Sequence, residues 1–392
     1  MQIKLTENVK YIGVDDETLD LFEGQYVVPE GVSYNSYVIL DEKVAVLDTV
    51  DKREQKKWEE NLLSALEGRA VDYLIIHHME PDHAGSIARL VELFPEMTLV
   101  GNAKTFQMMT LFFEEDLTEK KLVVKEGDKL GLGEHTLTFY MAPMVHWPEV
   151  MVSYESKNKI LFSADAFGKF GALAKTAEED WACEARRYYF NIVGKFGMAV
   201  RSLLKKVAAL EVAFICPLHG PVLKDNLFYY VGLYDTWSSY KPENEGVLVA
   251  YASLHGNTAA VAETFGEMLR EKGVSKVVVS DLAREDMAEV LEDAFRYDRM
   301  VLAASSYDGG VVPAMQEFLY HLQSKAYQNR KVALIENGSW APSAGKTMKE
   351  LLATMKNLEI VEPMVTIHAT MKNADRTSLE ILADAVCKES EN

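Results

Sequence analysis

Thiols are scarce in this chain. Only three of its 392 residues are cysteine, Cys183, Cys216 and Cys387. They are too far apart for a CxxC pair, which excludes a zinc ribbon, a rubredoxin-type iron site and a disulfide framework. So few thiols fit a reducing cytoplasm. Long apolar runs are missing as well. No stretch reaches the ~18 consecutive apolar residues of a membrane-spanning helix, and the opening MQIKLTENVKYIG lacks the apolar core of a secretory leader. Basic charge is short: 41 Lys and Arg face 60 Asp and Glu, a net −19. A surface this acidic repels phosphate backbones and anionic lipid, so neither nucleic acid nor a membrane is the expected partner.

What is present is an ordinary globular balance, 48% hydrophobic and 26% charged. One hydrophobic core rarely serves more than roughly 250–300 residues, so two packed units are expected. The clearest composition break is the polar stretch Ser238-Ser239-Tyr240-Lys241-Pro242-Glu243-Asn244-Glu245-Gly246. It divides the chain into residues 1–245 and 246–392. Residues 246–392 hold 15 basic and 21 acidic residues, net −6, which leaves −13 for the first 245. Neither part is a basic recognition module.

The second part alternates apolar runs with helical periods. The runs are Gly246–Ser253, Lys276–Leu282, Met300–Ser305, Val332–Glu336 and Ile360–Ile367. Helical stretches follow each of them, and five such units predict a five-stranded doubly wound sheet. The first part reads differently. Tyr26–Val28, Ser33–Leu40 and Lys43–Asp48 read as short antiparallel strands, followed by a helix over Arg53–Leu66 and a strand over Tyr73–His77. Mixed strands with covering helices suggest a two-sheet αββα sandwich.

Residues 73–86 read YLIIHHMEPDHAGS. An apolar strand ends and at once presents His78, Glu80, Asp82 and His83. On an extended chain, alternate residues share one side, so His78, Glu80 and Asp82 converge, with His83 turning in from the start of the next helix. Adjacent carboxylates repel, and a divalent cation reverses that penalty. His77 falls off this pattern and reads as a packing histidine. Three more segments offer ligands at strand ends: His146 in APMVHWPE, Asp165 in LFSADA and His219 in CPLHGP.

HxExDH followed by His146, Asp165 and His219 resembles the metallo-β-lactamase superfamily, and within it the flavodiiron proteins. Most hydrolases of that superfamily carry a histidine where this chain has Glu80. A hard oxygen donor there suits oxygen-handling iron better than a hydrolytic zinc pair. By that resemblance, one iron is held by His78, Glu80 and His146, the second by Asp82, His83 and His219, and Asp165 bridges them. These seven are then both the metal ligands and the catalytic residues. Glu149 and Tyr189 are candidate partners of the ligating histidines.

A second constellation lies at the strand ends of residues 246–392. Ser253-Leu254-His255-Gly256-Asn257-Thr258 joins a buried strand to a helix, where small hydroxyl, Gly and Asn residues close around an anion. The spacing is neither GxGxxG nor GxxxxGK[ST]; it resembles the flavodoxin phosphate loop, which binds FMN. Ser305-Ser306-Tyr307-Asp308-Gly309-Gly310 and Asn337-Gly338-Ser339-Trp340 follow the third and fourth strands, where ligands of open α/β sheets bind. Tyr307 and Trp340 are placed to flank a flavin ring.

The resemblance covers essentially the whole chain. It implies a cytoplasmic oxidoreductase that reduces O2 to water, NO to N2O, or both, using two non-haem irons and FMN. Two ferrous irons and a reduced flavin together hold the four electrons that O2 needs. The resemblance also implies a head-to-tail homodimer or a dimer of dimers. With no CxxC pair in the chain, the electron donor is expected to be a separate molecule, a rubredoxin-like protein or a reduced deazaflavin coenzyme. Two other readings remain open on sequence alone. One is a zinc hydrolase fused to a flavodoxin-like domain; the other is a plain electron-transfer flavoprotein.

Overall fold

The computed structural model describes residues 5–176 and 180–388. The chain divides into two compact units, Met1–Asp235 and Thr236–Asn392. That division falls inside the helix Leu227–Ser238, upstream of the composition break, and Asn244 and Glu245 already belong to the first strand of the second unit.

The first unit is built on two facing sheets. One orders its strands Val9–Tyr11, Tyr37–Leu40, Val44–Leu47, Tyr73–Ile75, Thr98–Gly101 and Lys121–Val123. The other orders Lys129–Gly131, Thr136–Met141, Met151–Glu155, Ile160–Phe162 and Phe214–Cys216. Alternate residues turn inward from both, as the period of two requires. Val9, Ile39, Leu47, Ile75 and Val100 meet Leu137, Phe139, Met151, Ile160 and Phe162 in one apolar core. The helix Gln55–Leu66 buries Trp58, Leu62, Ala65 and Leu66, and Gly197–Val207 buries Val200, Leu203, Leu204 and Val207. This is the metallo-β-lactamase-like αββα sandwich.

The single strand read over Ser33–Leu40 is broken in two. Val32–Tyr34 pairs with Val14–Asp16, whereas Tyr37–Leu40 pairs with Val44–Leu47. Asn35 is the reason. Its amide donates to the Pro217 and Gly220 carbonyls at 2.8 and 2.7 Å, tying the break to the His219 loop.

The second unit has a parallel sheet in the order Val277–Asp281, Asn244–Ala252, Tyr297–Tyr307, Gln328–Asn337, Lys356–Ile367. In chain order that is 2-1-3-4-5, the flavodoxin-like winding. Helices Asn257–Glu271 and Asn373–Cys387 bury Val261, Phe265, Leu269, Leu379 and Leu382 against Val249, Val301 and Ile335. Such runs are apolar on both faces because helices cover both.

Candidate metal centre and phosphate-loop cavity

Five of the seven predicted ligands of the first unit sit just past a strand or in a loop. His78 and Glu80 follow Tyr73–Ile75, His146 lies between Thr136–Met141 and Met151–Glu155, Asp165 follows Ile160–Phe162, and His219 follows Phe214–Cys216. The turn after Glu80 departs from the extended reading. Pro81 opens a one-turn helix, Pro81–Ala84, with Glu80 still extended before it. Proline suits that first helical position because its missing N–H would be unpaired there anyway. Asp82 and His83 therefore leave from a helical turn rather than from an extended strand, and the His83 ring lies 5.8 Å from the His78 ring.

The result is two groups of converging donors, His78, Glu80, His146 and Asp165 in one, Asp82, His83 and His219 in the other. His78 Nε2 and His146 Nε2 lie 3.1 and 3.0 Å from Glu80 Oε2. His83 Nε2 and His219 Nε2 each lie 3.2 Å from Asp82 Oδ2. Asp165 spans both groups. Its Oδ2 is 3.1 Å from His78 Nε2 and 3.3 Å from His146 Nε2, while its Oδ1 is 3.3 Å from His83 Nε2 and 3.8 Å from His219 Nε2.

These residues fit a pair of cations. Both carboxylate oxygens of Asp82 and of Asp165 are buried without a well-formed hydrogen bond among the described residues. His83 Nε2 and His219 Nε2 face each other at 3.1 Å, an arrangement that needs a proton or a cation between two lone pairs. Burial alone pushes the His146 imidazolium down, but its close contacts with the Asp165 and Glu80 carboxylates outweigh it and hold it up at about 9. Burial likewise opposes charge on His78 and His83, yet Asp165 beside the first and Asp82 beside the second raise both. Asp165 is held well below the usual carboxylate range: burial raises it, and the His78 charge with the close approach of the His146 and His78 imidazoles more than reverses that. The site keeps charge where burial would remove it.

The outer partners are equally specific. Glu149 is buried, its Oε1 2.7 Å from His78 Nδ1, and it accepts from the Met79 N–H at 2.8 Å. His219 Nδ1 lies 2.8 Å from the Ser33 carbonyl, which can only accept. Both contacts put the proton on Nδ1 and leave Nε2 for a metal. Tyr189 does not take the part expected of it. Its ring packs on Phe190 and Tyr234, and the tyrosine that packs on His219, at 5.5 Å, is Tyr188. Trp147 meets the His78 ring edge-on at 5.2 Å, and Phe22 meets His219 at 5.3 Å. His77 is a core residue, as its place off the pattern implied: Nδ1 lies 2.5 Å from Asp48 Oδ2 and Nε2 2.8 Å from Ser153 Oγ.

Sequence reasoning missed Ser33, Trp147, Tyr188 and Glu23. The last lies at the tip of the hairpin Leu21–Phe22/Tyr26–Val27 and lines a cavity of about 230 Å³ over Glu80 and Asp82. The residue is exposed, but its carboxyl turns against Glu80. Burial there and the Glu80 charge push it up to about 7. Nothing in Leu21-Phe22-Glu23-Gly24 carries a ligand spacing, so no sequence signal pointed to it.

In the second unit, the three predicted loops surround one cavity of about 460 Å³ at the carboxyl ends of the strands. All sixteen of their predicted residues line it except Gly256 and Gly310, and Ala341, Ser343 and Ala369 join them. Gly256 sits at φ 86, the left-handed conformation that glycine adopts without strain, and delivers the chain into the helix Asn257–Glu271. The first N–H groups of that helix have no intrahelical partner and suit a phosphate. Thr258 Oγ1 and Ser305 Oγ are 2.8 Å apart, so the first and third strand loops are joined. Ser306 Oγ accepts from the Ser343 and Ala344 N–H groups at 2.8 and 3.1 Å. Trp340 is 92% exposed and Tyr307 45%; these two aromatic side chains stand at the cavity without being buried in it. The cavity fits a flavin mononucleotide: small polar loops and a helix start for the phosphate, aromatic side chains for the ring.

Comparison with known proteins gives a consistent result. Residues 32–220 match the model of the ODP family beta lactamase, and residues 248–365 match that of a flavodoxin domain. The anaerobic nitric oxide reductase flavorubredoxin of Salmonella typhi is 29% identical over 356 residues, covering 88% of this chain and 74% of that protein. The rubredoxin-oxygen oxidoreductase of Megalodesulfovibrio gigas is 26% identical over 395 residues, covering 98% of this chain and 97% of that one. Among solved structures, rubredoxin oxygen:oxidoreductase from Desulfovibrio gigas superposes with a TM-score of 0.92 at 25% identity, over 98% of both chains.

Proposed function

The chain belongs to the flavodiiron family, and from that premise we infer that it is an oxidoreductase that reduces O2 to water, NO to N2O, or both. The observation that carries the reading is Asp165, which offers one carboxylate oxygen to each group of donors. His78, Glu80 and His146 would hold one iron, Asp82, His83 and His219 the other, and Asp165 would join them. Iron and FMN, when bound, supply the electrons and the site at which the diatomic is activated.

The protein's own part is orientation and exclusion. Glu149 and the Ser33 carbonyl fix His78 and His219 with Nε2 inward. Trp147, Phe22, Tyr34 and Tyr188 form an aromatic shell around the imidazoles, which keeps bulk water away from them. Glu80 and Asp82 stand at the open side, lining the small cavity through which a diatomic would enter. In the second unit, the loops from Ser253, Ser305 and Asn337 would hold FMN. A zinc hydrolase is disfavoured by the carboxylate at Glu80, since a His and carboxylate mixture suits redox-active iron. A plain electron-transfer flavoprotein is disfavoured by the convergence of all seven donors.

Two finer statements complete the reading. The electron donor is a separate rubredoxin-type protein or a reduced deazaflavin coenzyme. The working form is a cytoplasmic head-to-tail homodimer or a dimer of dimers; the exposed Leu254, Tyr307 and Trp340 beside the flavin cavity support a partner chain there. No helix among the described residues is long and apolar enough to cross a membrane. The test is to purify the protein anaerobically, measure iron, zinc and FMN on one sample, reduce it, and follow O2 and NO consumption in parallel. Iron, FMN and turnover of at least one gas are expected. Zinc in place of iron, or loaded protein that consumes neither gas, would overturn the reading.

A further inference from the structure

The cavity over the ligands is lined by acidic side chains that are not themselves ligands. Its lining includes Glu23, Tyr34, Asp51 and Arg53 in addition to Glu80 and Asp82. Arg53 is the one cation among these lining residues, and its charge is already matched, with Nη2 3.4 Å from Oδ2 of the buried Asp16. Asp51 accepts from the Arg53 N–H at 2.8 Å as a helix cap, a contact that leaves its negative charge in place. Once Glu80 and Asp82 are engaged by metal, Glu23 and Asp51 are the carboxyl groups left at the mouth that no metal holds.

Glu23 is held there at a conformational cost. It adopts φ 49, the left-handed region that a side chain with Cβ disfavours. The next residue, Gly24, is also left-handed and has nothing within 4 Å of the place a Cβ would occupy. The turn is open, so packing does not demand a glutamate. Gln25 Nε2 donates to Glu23 Oε2 at 3.3 Å, steadying the side chain over the cavity.

We propose that Glu23 is a specificity-determining residue whose carboxylate, fixed at the cavity mouth, rejects small anions while leaving neutral diatomics unhindered. The proposal rests on the diiron reading of the seven ligands. It deepens that reading: the site takes uncharged O2 or NO and is shielded from anions of similar size that would otherwise compete for the metals.

The probes are azide, an anion, and NO, which is neutral. Wild type, Glu23→Gln and Glu23→Asp are prepared as holoproteins, with iron and FMN measured on each sample. Azide affinity is read from iron-centred absorption of the oxidised protein, and NO affinity from the spectrum of the reduced protein, both at pH 8.5. Two unit charges ~6 Å apart in a water-like medium alter affinity by about 3-fold. The ratio of azide affinity to NO affinity is therefore expected to rise about 3-fold in Glu23→Gln and to stay near wild type in Glu23→Asp. An unchanged ratio in Glu23→Gln overturns the proposal. So does an equal rise in Glu23→Asp, because shape rather than charge would then control access. Iron-free wild-type protein would overturn the diiron reading and the proposal together, and the metal analysis separates that outcome from the other two.

Discussion

Glu149→Gln isolates the role of a residue that no metal would touch. The wild-type carboxylate sits 2.7 Å from His78 Nδ1 and accepts from the Met79 N–H at 2.8 Å, both at Oε1. Glutamine keeps the volume and can present its carbonyl oxygen to the same two groups. It loses the charge, and a charge-assisted hydrogen bond is roughly twice as strong as a neutral one. It also places an NH2 where Oε2 stands, a buried position without a hydrogen-bond partner among the described residues. An unpaired buried donor costs about 1–3 kcal/mol. Loss of such a partner typically lowers metal affinity ~10- to 100-fold. The effect should fall on the His78, Glu80 and His146 group and spare Asp82, His83 and His219. The assay is stepwise dialysis against a chelator, with iron and FMN measured at each step. Glu149→Gln should lose about half its iron at a chelator concentration that leaves the wild type loaded, with FMN retained. Equal iron retention by the two proteins would refute the argument, because Glu149 would then not support His78.

His83→Ala should impair iron loading and gas reduction while FMN stays bound; unchanged turnover would remove His83 from the ligand set. Iron uptake by metal-free protein should strengthen as pH rises towards about 9, because a ligating imidazole must be neutral and His146 is held up at about 9; equilibrium binding measured from pH 6 to 10 checks this. The sign reverses for the stability of the metal-free fold: the raised His146 contributes stability that is full below its unfolded value of ~6.5 and is lost as pH rises through about 9. Ser306→Ala removes the acceptor for two N–H groups and so loosens the Asn337 loop. A cost of about 1–2 kcal/mol corresponds to ~5- to 30-fold weaker FMN binding, read by flavin fluorescence.

The second unit was the more legible in the sequence. Its strands are buried on both faces, so they appear as apolar runs, and each loop motif follows its strand directly. Glu80 carried more information than its neighbours because it replaced an expected imidazole. The HxExDH turn was legible in composition but not in shape, since alternation assumed an extended chain and Pro81 starts a helix at once. The break at Asn35 was hidden because its cause, a side chain bonded to the Pro217 and Gly220 carbonyls, lies ~180 residues away in sequence. The same holds for Ser33, whose backbone carbonyl meets His219 and leaves no side-chain signature. Tyr188 and Tyr189 are adjacent and alike in composition; only helical phase decides which meets His219.

The proposed function has iron and flavin serving together as a four-electron store. The most direct test is to reduce the purified protein fully under anaerobic conditions, titrate it with O2, and measure the peroxide released. The account predicts consumption of one O2 per four electrons with no appreciable peroxide. Stoichiometric peroxide, one per two electrons, would contradict it.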